Sequence, residues 1–145
     1  MAGRSIAGMT PRERVAAECA RRGKDAVVAD CLAVLRGATD PTLVSSLAGP
    51  GANKYFDGAE HSDTYWFRVW ALRALLWSWD ARAIGCVCDA LTDGSWRVRE
   101  MAAKVAARHL VGDATPALAG LRDDPVPRVR NAAQRALMRI GAAGA

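Results

Sequence analysis

Hydrophobic and small residues recur along most of this chain at the three- and four-residue spacing that is typical of amphipathic helices. Capping residues divide the pattern into short segments: Thr10-Pro11 marks a helix start, Gly23 marks a helix end, and Asp40-Pro41 marks another start. The pattern therefore predicts an all-α protein without strands. Its helices form four pairs, which we expect at about 10–36, 40–79, 81–110 and 115–140.

Two stretches depart from the helical pattern. Residues 49–61 contain several glycines and a proline, which predicts an irregular insertion inside the second pair. Residues 1–9 come before the first capping signal, and we expect them to form a flexible leader. The remainder, 10–141, is short enough to be a single domain with one core.

The second half of the chain contains two near-copies of one segment. Arg97-Val98-Arg99 and Arg128-Val129-Arg130 are 31 residues apart, and small or apolar residues follow both at matching places. A weaker copy begins at Arg68-Val69. Self-similarity at a period near 30 residues predicts a stacked helical repeat, in which each pair of helices buries its apolar face against its neighbours.

An aspartate precedes the last arginine of each near-copy by six residues: Asp93 precedes Arg99, and Asp124 precedes Arg130. In these residues the chain resembles the HEAT-like repeat family, in its short bacterial type. The resemblance implies a right-handed α-solenoid of about four helical hairpins, in which these aspartates and arginines form a ladder between repeats. It also implies that the second helix of each pair lines the inner surface. On this basis we expect Arg130 to be the partner of a buried Asp124 carboxylate.

Six basic residues form a row on the predicted second helices of the last two pairs. They have the same spacing in both helices, so two stacked helices would present a continuous basic strip. This strip has two interpretations: a docking surface for phosphates or an acidic partner, or a solvated face partly neutralised by carboxylates such as Glu100. The six positions are Arg97, Lys104, Arg108, Arg128, Arg135 and Arg139.

The predicted helix that follows the insertion is unusually aromatic. Trp66, Trp70, Arg73 and Trp77 lie on one helical face, and a thin layer of neighbours cannot bury every ring. Either the 49–61 segment folds back, with Tyr55 and Phe56 as a lid, or some of the rings are exposed as anchors for a partner. The sequence leaves both interpretations open.

Composition narrows the function classes. The formal charge is +5 and half of the residues are hydrophobic, but no apolar run is long enough to span a membrane. The four cysteines form no CxxC motif, which indicates reduced thiols in a cytoplasmic protein. We find no nucleophile elbow and no phosphate-binding glycine motif. Four potential metal ligands lie within seven residues, but the only other histidine is His109 on a distant helix; the four are Asp57, Glu60, His61 and Asp63. We therefore expect no catalytic residues, no cofactor and no metal.

These observations favour a non-enzymatic protein-interaction module, a HEAT-repeat scaffold or adaptor, that binds a partner through its second helices and the 49–61 segment. An acidic protein would suit the basic strip. The alternative is a nucleic-acid-binding protein that uses the same strip, because some HEAT-like proteins resemble alkylpurine DNA glycosylases. Self-association through the terminal repeats is a further expectation, since the last helix has no following repeat to cover it.

Overall fold

The computed structural model describes residues 8–144, and most of the expected leader therefore lies outside the described residues. This part of the chain is all-α and contains no strand. The eight α-helices are α1 (Pro11–Arg22), α2 (Lys24–Leu35), α3 (Pro41–Ala48), α4 (Tyr65–Leu75), α5 (Ile84–Ala90), α6 (Trp96–Arg108), α7 (Thr115–Gly120) and α8 (Pro127–Ala143).

The helix starts follow the capping signals closely. Thr10 and Glu13 form a reciprocal capping box at α1: the Glu13 amide donates to Thr10 Oγ1 over 3.2 Å, and the Thr10 amide donates to Glu13 Oε1 over 3.1 Å. The Asp40 carboxylate accepts the Leu43 amide over 3.0 Å at the start of α3. Both helices begin at the proline that follows the cap, as the sequence predicts.

Three predictions about individual segments are wrong. The 49–61 segment is not irregular throughout, because Pro50–Phe56 forms a 3₁₀ helix that the proline favours at its first position. The aromatic helix is shorter than predicted, and Trp77 lies beyond its end at Leu75. Conversely, α8 continues beyond the predicted end at about 140 as far as Ala143, because Gly141 does not adopt the positive φ with which glycine commonly ends a helix.

The chain packs into two compact units, one ending at Ser78 and the other beginning at Trp79. In the first unit, the hairpins α1/α2 and α3/α4 stack through the contacts of α1 with α3 and of α2 with α4. In the second unit, the hairpins α5/α6 and α7/α8 stack mainly through α6 and α8. Each unit thus contains two stacked hairpins, and the single domain expected over 10–141 stays a prediction.

Apolar side chains from the second helices form much of the core in each unit. Val98, Val105 and Val129 are completely buried where α6 packs on α8. In the first unit, Leu72 of α4 is equally buried, together with Val27 of α2. Because these helices are too short to be stable in isolation, the free energy of burying these faces holds each hairpin in place.

An ion pair links the two hairpins of the second unit. Arg99 Nε donates to Asp124 Oδ2 over 2.8 Å, while Arg99 Nη1 donates to the Asp93 carbonyl over 2.8 Å. Asp124 is only 7% exposed, and its Oδ1 also accepts the Val126 amide. Burial by itself raises the pKa of the Asp124 carboxyl, but the hydrogen bonds from Arg99 and Val126 together hold that pKa below its ordinary value.

The role expected for Arg130 is wrong. Its Nη1 donates to the main-chain carbonyl of Asp124 over 2.7 Å, and the carboxylate itself is bound by Arg99 of the preceding hairpin. Arg99 makes the equivalent bond to the carbonyl of Asp93. The arginine in each repeat therefore closes its own turn, and Arg99 additionally reaches forward to the next repeat.

We predict that Arg99→Ala lowers the free energy of unfolding by about 3 kcal/mol, because it leaves a buried carboxylate without its partner. Arg130→Ala removes a hydrogen bond to a neutral carbonyl and should cost only about 1 kcal/mol. Urea unfolding of both variants at pH 7 measures the difference.

The same ion pair predicts a pH dependence. The pKa of the Asp124 carboxyl is lower in the folded protein than in the unfolded chain. The ion pair therefore contributes fully to the free energy of unfolding above the pKa of the unfolded carboxyl, and this contribution is lost as the pH falls through the pKa of the folded protein. The stability difference between the wild type and Arg99→Ala should therefore shrink below pH 4. A larger loss for Arg130→Ala than for Arg99→Ala would contradict the pairing.

Candidate partner-binding site

The 49–61 segment folds back on its own unit through the 3₁₀ helix Pro50–Phe56. Gly49 permits the entry to this helix, since its φ of +82° lies in the left-handed region that favours glycine. Residues three apart eclipse each other in a 3₁₀ helix, so Ala52 and Tyr55 share one face. Both are buried, which shows that this face packs on the protein.

Tyr55 and Phe56 contact the aromatic side chains of α4. The Tyr55 ring meets Phe67 edge-on, with ring centroids 5.1 Å apart, and lies 6.0 Å from the Trp70 ring. The Phe56 ring stacks on Phe67 with a centroid distance of 5.8 Å. These are the separations at which aromatic pairs attract beyond simple burial. Tyr55 and Phe56 therefore cover part of α4, as the lid interpretation holds.

A charge-assisted hydrogen bond fixes the Tyr55 ring. Its hydroxyl donates to Asp63 Oδ2 over 2.9 Å, and Lys54 Nζ lies 3.9 Å from the same oxygen. Burial of the phenol and its bond to the Asp63 carboxylate raise the pKa of Tyr55 to about 12. The hydroxyl therefore stays protonated and keeps donating throughout the physiological range.

An open cleft of about 370 Å³ lies between the 3₁₀ helix and α4. The Trp66 and Trp70 rings form one wall, nearly parallel at 24° with centroids 6.1 Å apart. Tyr55 and the small residues Ala48 and Gly51 complete the lining, and Lys54 stands at the cleft with its side chain exposed. The cleft can thus receive an apolar or aromatic group and offers one positive charge beside it.

The structure brings together three of the six residues predicted to bind a partner. Tyr55, Trp66 and Trp70 line the cleft, and both Trp side chains are half-buried. The other three, Phe56, Arg73 and Trp77, do not line it. Sequence reasoning missed Lys54, although its position next to Tyr55 at the end of a proline-initiated segment was an available signal.

The basic strip is less open than the sequence suggests. Glu100 accepts both Arg128 Nε over 2.9 Å and Arg128 Nη2 over 3.2 Å, and it also lies 3.8 Å from Lys104 Nζ. The guanidinium carbons of Arg97 and Arg128 lie over the Trp96 ring, at 4.4 and 5.3 Å from its centroid. This cluster joins α6 to α8, and Trp96 is a member that the sequence did not reveal.

Five of the six strip residues are exposed, and three of these, Arg108, Arg135 and Arg139, do not belong to the Glu100 and Trp96 cluster. Across residues 8–144, no carboxylate forms an ion pair with any of the three. The solvated-face interpretation therefore describes half of the strip, namely Arg97, Lys104 and Arg128, whose charges contact the Glu100 carboxylate or the Trp96 ring. The other half remains available to an anionic surface.

The described residues form no metal-binding cluster and no membrane-spanning helix. Between Gly8 and Gly144, no three His, Cys, Asp or Glu side chains lie close enough together to hold a metal ion, and no helix has the length and apolar character to cross a membrane. All four cysteines are free thiols. Burial raises the pKa of Cys31 to about 12, which keeps its thiol protonated and a poor nucleophile.

We predict that Tyr55→Phe lowers the free energy of unfolding by about 2 kcal/mol at pH 8, because Asp63 loses a charge-assisted hydrogen bond. Folding raises the pKa of the Tyr55 phenol from about 10 to about 12. The stability that the protonated phenol contributes is therefore complete below pH 10 and is lost as the pH rises toward 12. The difference between the two proteins should therefore narrow in urea unfolding above pH 10. A constant difference between pH 8 and pH 11 would refute the assignment.

Comparison with known proteins agrees with the repeat seen in the helices. A family model described as HEAT repeats matches residues 53–141, which is more than half of the chain. Searches among curated proteins and among solved structures gave no significant match. The matched region contains both near-copies, the arginines that close their turns, and the stacked hairpins of the second unit. The chain belongs to the HEAT repeat family.

Proposed function

We propose that this chain is a non-enzymatic protein-interaction module that binds a segment of a partner protein in its aromatic cleft. HEAT repeats commonly act as scaffolds for protein interactions. The observation that carries the proposal is the cleft itself: an open cleft whose wall consists of half-buried Trp66 and Trp70 and is completed by Tyr55. Here the 49–61 segment contributes part of the binding surface, together with α4.

The size and composition of the cleft suit a partner side chain. A volume of about 370 Å³ is within the range of sites that enclose small groups, and tryptophan and tyrosine dominate the energetics of protein interfaces. The rings are also held in place before binding, because the hydrogen bond from Tyr55 to Asp63 and the stacking of Trp66 on Trp70 fix their orientation. Preorganisation lowers the entropy cost of association.

We predict that Trp66→Ala removes a defined set of partners that the wild-type protein retains. Both proteins would be immobilised and exposed to a nuclease-treated cell lysate at moderate salt, and bound proteins would be quantified by mass spectrometry. A candidate from that set should then bind the purified wild type, with at least tenfold weaker binding to Trp66→Ala. Truncation of a central aromatic anchor costs 2 kcal/mol or more, that is, about 30-fold.

Two variants control this experiment. Trp79→Ala removes a tryptophan from the second unit, where its ring stacks on His109, and should leave the captured set unchanged. Lys54→Glu reverses an exposed charge at the cleft and should weaken an acidic partner selectively. The proposal fails if every protein captured by the wild type is captured equally by a folded Trp66→Ala variant.

Nucleic-acid binding is a second candidate function, favoured by the exposed Arg108, Arg135 and Arg139. Neutralisation of about three phosphates would make the affinity fall steeply with salt, with a logarithmic slope near −3 on duplex DNA. We predict weak binding at low salt that Arg135→Glu/Arg139→Glu abolishes, measured by fluorescence anisotropy with a labelled duplex.

The matched control reverses two exposed arginines of the first unit, Arg12 and Arg36, and so changes the net charge equally. This control should bind DNA like the wild type if the strip is the binding surface. Equal losses in both variants would show that only net charge matters. Binding that persists at moderate salt would favour the nucleic-acid function over the protein-interaction proposal.

A further inference from the structure

The first unit contains a buried guanidinium group for which the described residues provide no counter-charge. Arg14 of α1 is only 6% exposed, and its Nη1 is fully buried without a hydrogen-bond partner in the described chain. The group lies against the main chain of Gly49, where an added Cβ would stand 2.6 Å from both the Arg14 Cζ and Nη2. A larger residue at position 49 would therefore displace the guanidinium.

Helix α4, which contacts α1, carries a second guanidinium. Arg73 of α4 is half-buried, and burial, together with the positive charge of Arg14, lowers its pKa. Glu18 is the acidic residue one turn from Arg14 on α1, but it is bound by Arg21 at 3.0 Å and by Arg22 at 2.9 Å. Within residues 8–144, no carboxylate forms an ion pair with either Arg14 or Arg73.

Two neighbouring cations away from water are unfavourable unless an anion joins them. Buried charges in proteins are paired or hydrogen-bonded, because the free-energy cost of removing an unpaired charge from water is not offset by any new interaction. The planar guanidinium presents a fork of N–H donors that fits the oxygens of a carboxylate or a phosphate. We propose that Arg14 and Arg73 form a binding site for an oxyanion, which supplies the acceptor that Arg14 Nη1 lacks.

The guanidinium groups belong to segments that also border the aromatic cleft, and the half-buried Arg73 side chain is partly accessible to solvent. Ala48 and Gly51, which flank the Gly49 turn, line the aromatic cleft, and so does Trp70, one helical turn before Arg73. The oxyanion is therefore either the carboxylate of a segment bound in the cleft or a free phosphate. The site does not depend on the proposed function, because the charges need compensation in either case.

The test is the thermal unfolding of the full-length protein in sodium phosphate, sodium acetate or sodium chloride at pH 7 and constant ionic strength. A specific site predicts a saturable rise in Tm with phosphate or acetate, of about 3 °C at ten times the dissociation constant. A response to acetate alone identifies a carboxylate site, a response to phosphate alone identifies a phosphate site, and either result supports the proposal.

Three variants make the result specific. Arg73→Gln should lose the saturable rise, whereas Arg36→Gln, at an exposed arginine of the same unit, should keep it. Arg14→Met should raise the Tm in chloride, because it removes an unpaired buried charge, and should also abolish the response to the anion.

Two outcomes would overturn the proposal. A rise in Tm that does not saturate and is equal in the wild type and Arg73→Gln would be the general effect of salts excluded from the protein surface. A lower Tm of Arg14→Met in chloride, with the wild-type anion response intact, would mean that the Arg14 guanidinium is a structural group that needs no anion.

Discussion

The burial of short amphipathic helices against each other is the constraint on which this structure depends. The helices of the two units span six to 17 residues, and helices of this length are at best marginally stable alone in water. Each therefore requires a neighbour: α2 packs on α4, and α6 packs on α8. The polar contacts are made between helices that this apolar packing already holds together. The bond from Arg99 to Asp124 joins two hairpins that the buried Val98 and Val129 already hold together, and it fixes their register.

The fold was predictable because its signals are local. The capping box at Thr10 and Glu13 determines the start of α1 within a few residues, and the near-copies at Arg97 and Arg128 reveal the repeat directly. The error at Arg130 has a different origin. Sequence spacing places this arginine six residues after Asp124, but it does not specify whether the guanidinium meets the carboxylate or the carbonyl. That choice depends on the packing of α6 against α8, which only the structure shows.

The candidate site was predictable only in part, for a related reason. An aromatic excess at Trp66 and Trp70 can be read from the sequence, and so can the proximity of an insertion rich in glycine. Whether Tyr55 covers these rings depends on the 3₁₀ helix, whose stability comes from the tertiary burial of Ala52 and Tyr55 rather than from local propensity. No sequence signal indicated Arg14, because an arginine with a glutamate four residues later normally predicts a surface ion pair.

The turn at Gly49 connects the two features that distinguish the first unit. Its positive φ directs the chain into the 3₁₀ helix that carries Tyr55, and its missing side chain leaves room for the Arg14 guanidinium. A substitution there would disturb the cleft and the guanidinium pair together, through strain in one case and direct displacement in the other. The insertion that departs most from the repeat pattern thus contains the residue on which both the position of Tyr55 and the space for the Arg14 guanidinium depend. In a repeat protein, where the regular turns serve mainly to stack the helices, such an interruption is the place where a binding surface can arise without loss of the stacking itself.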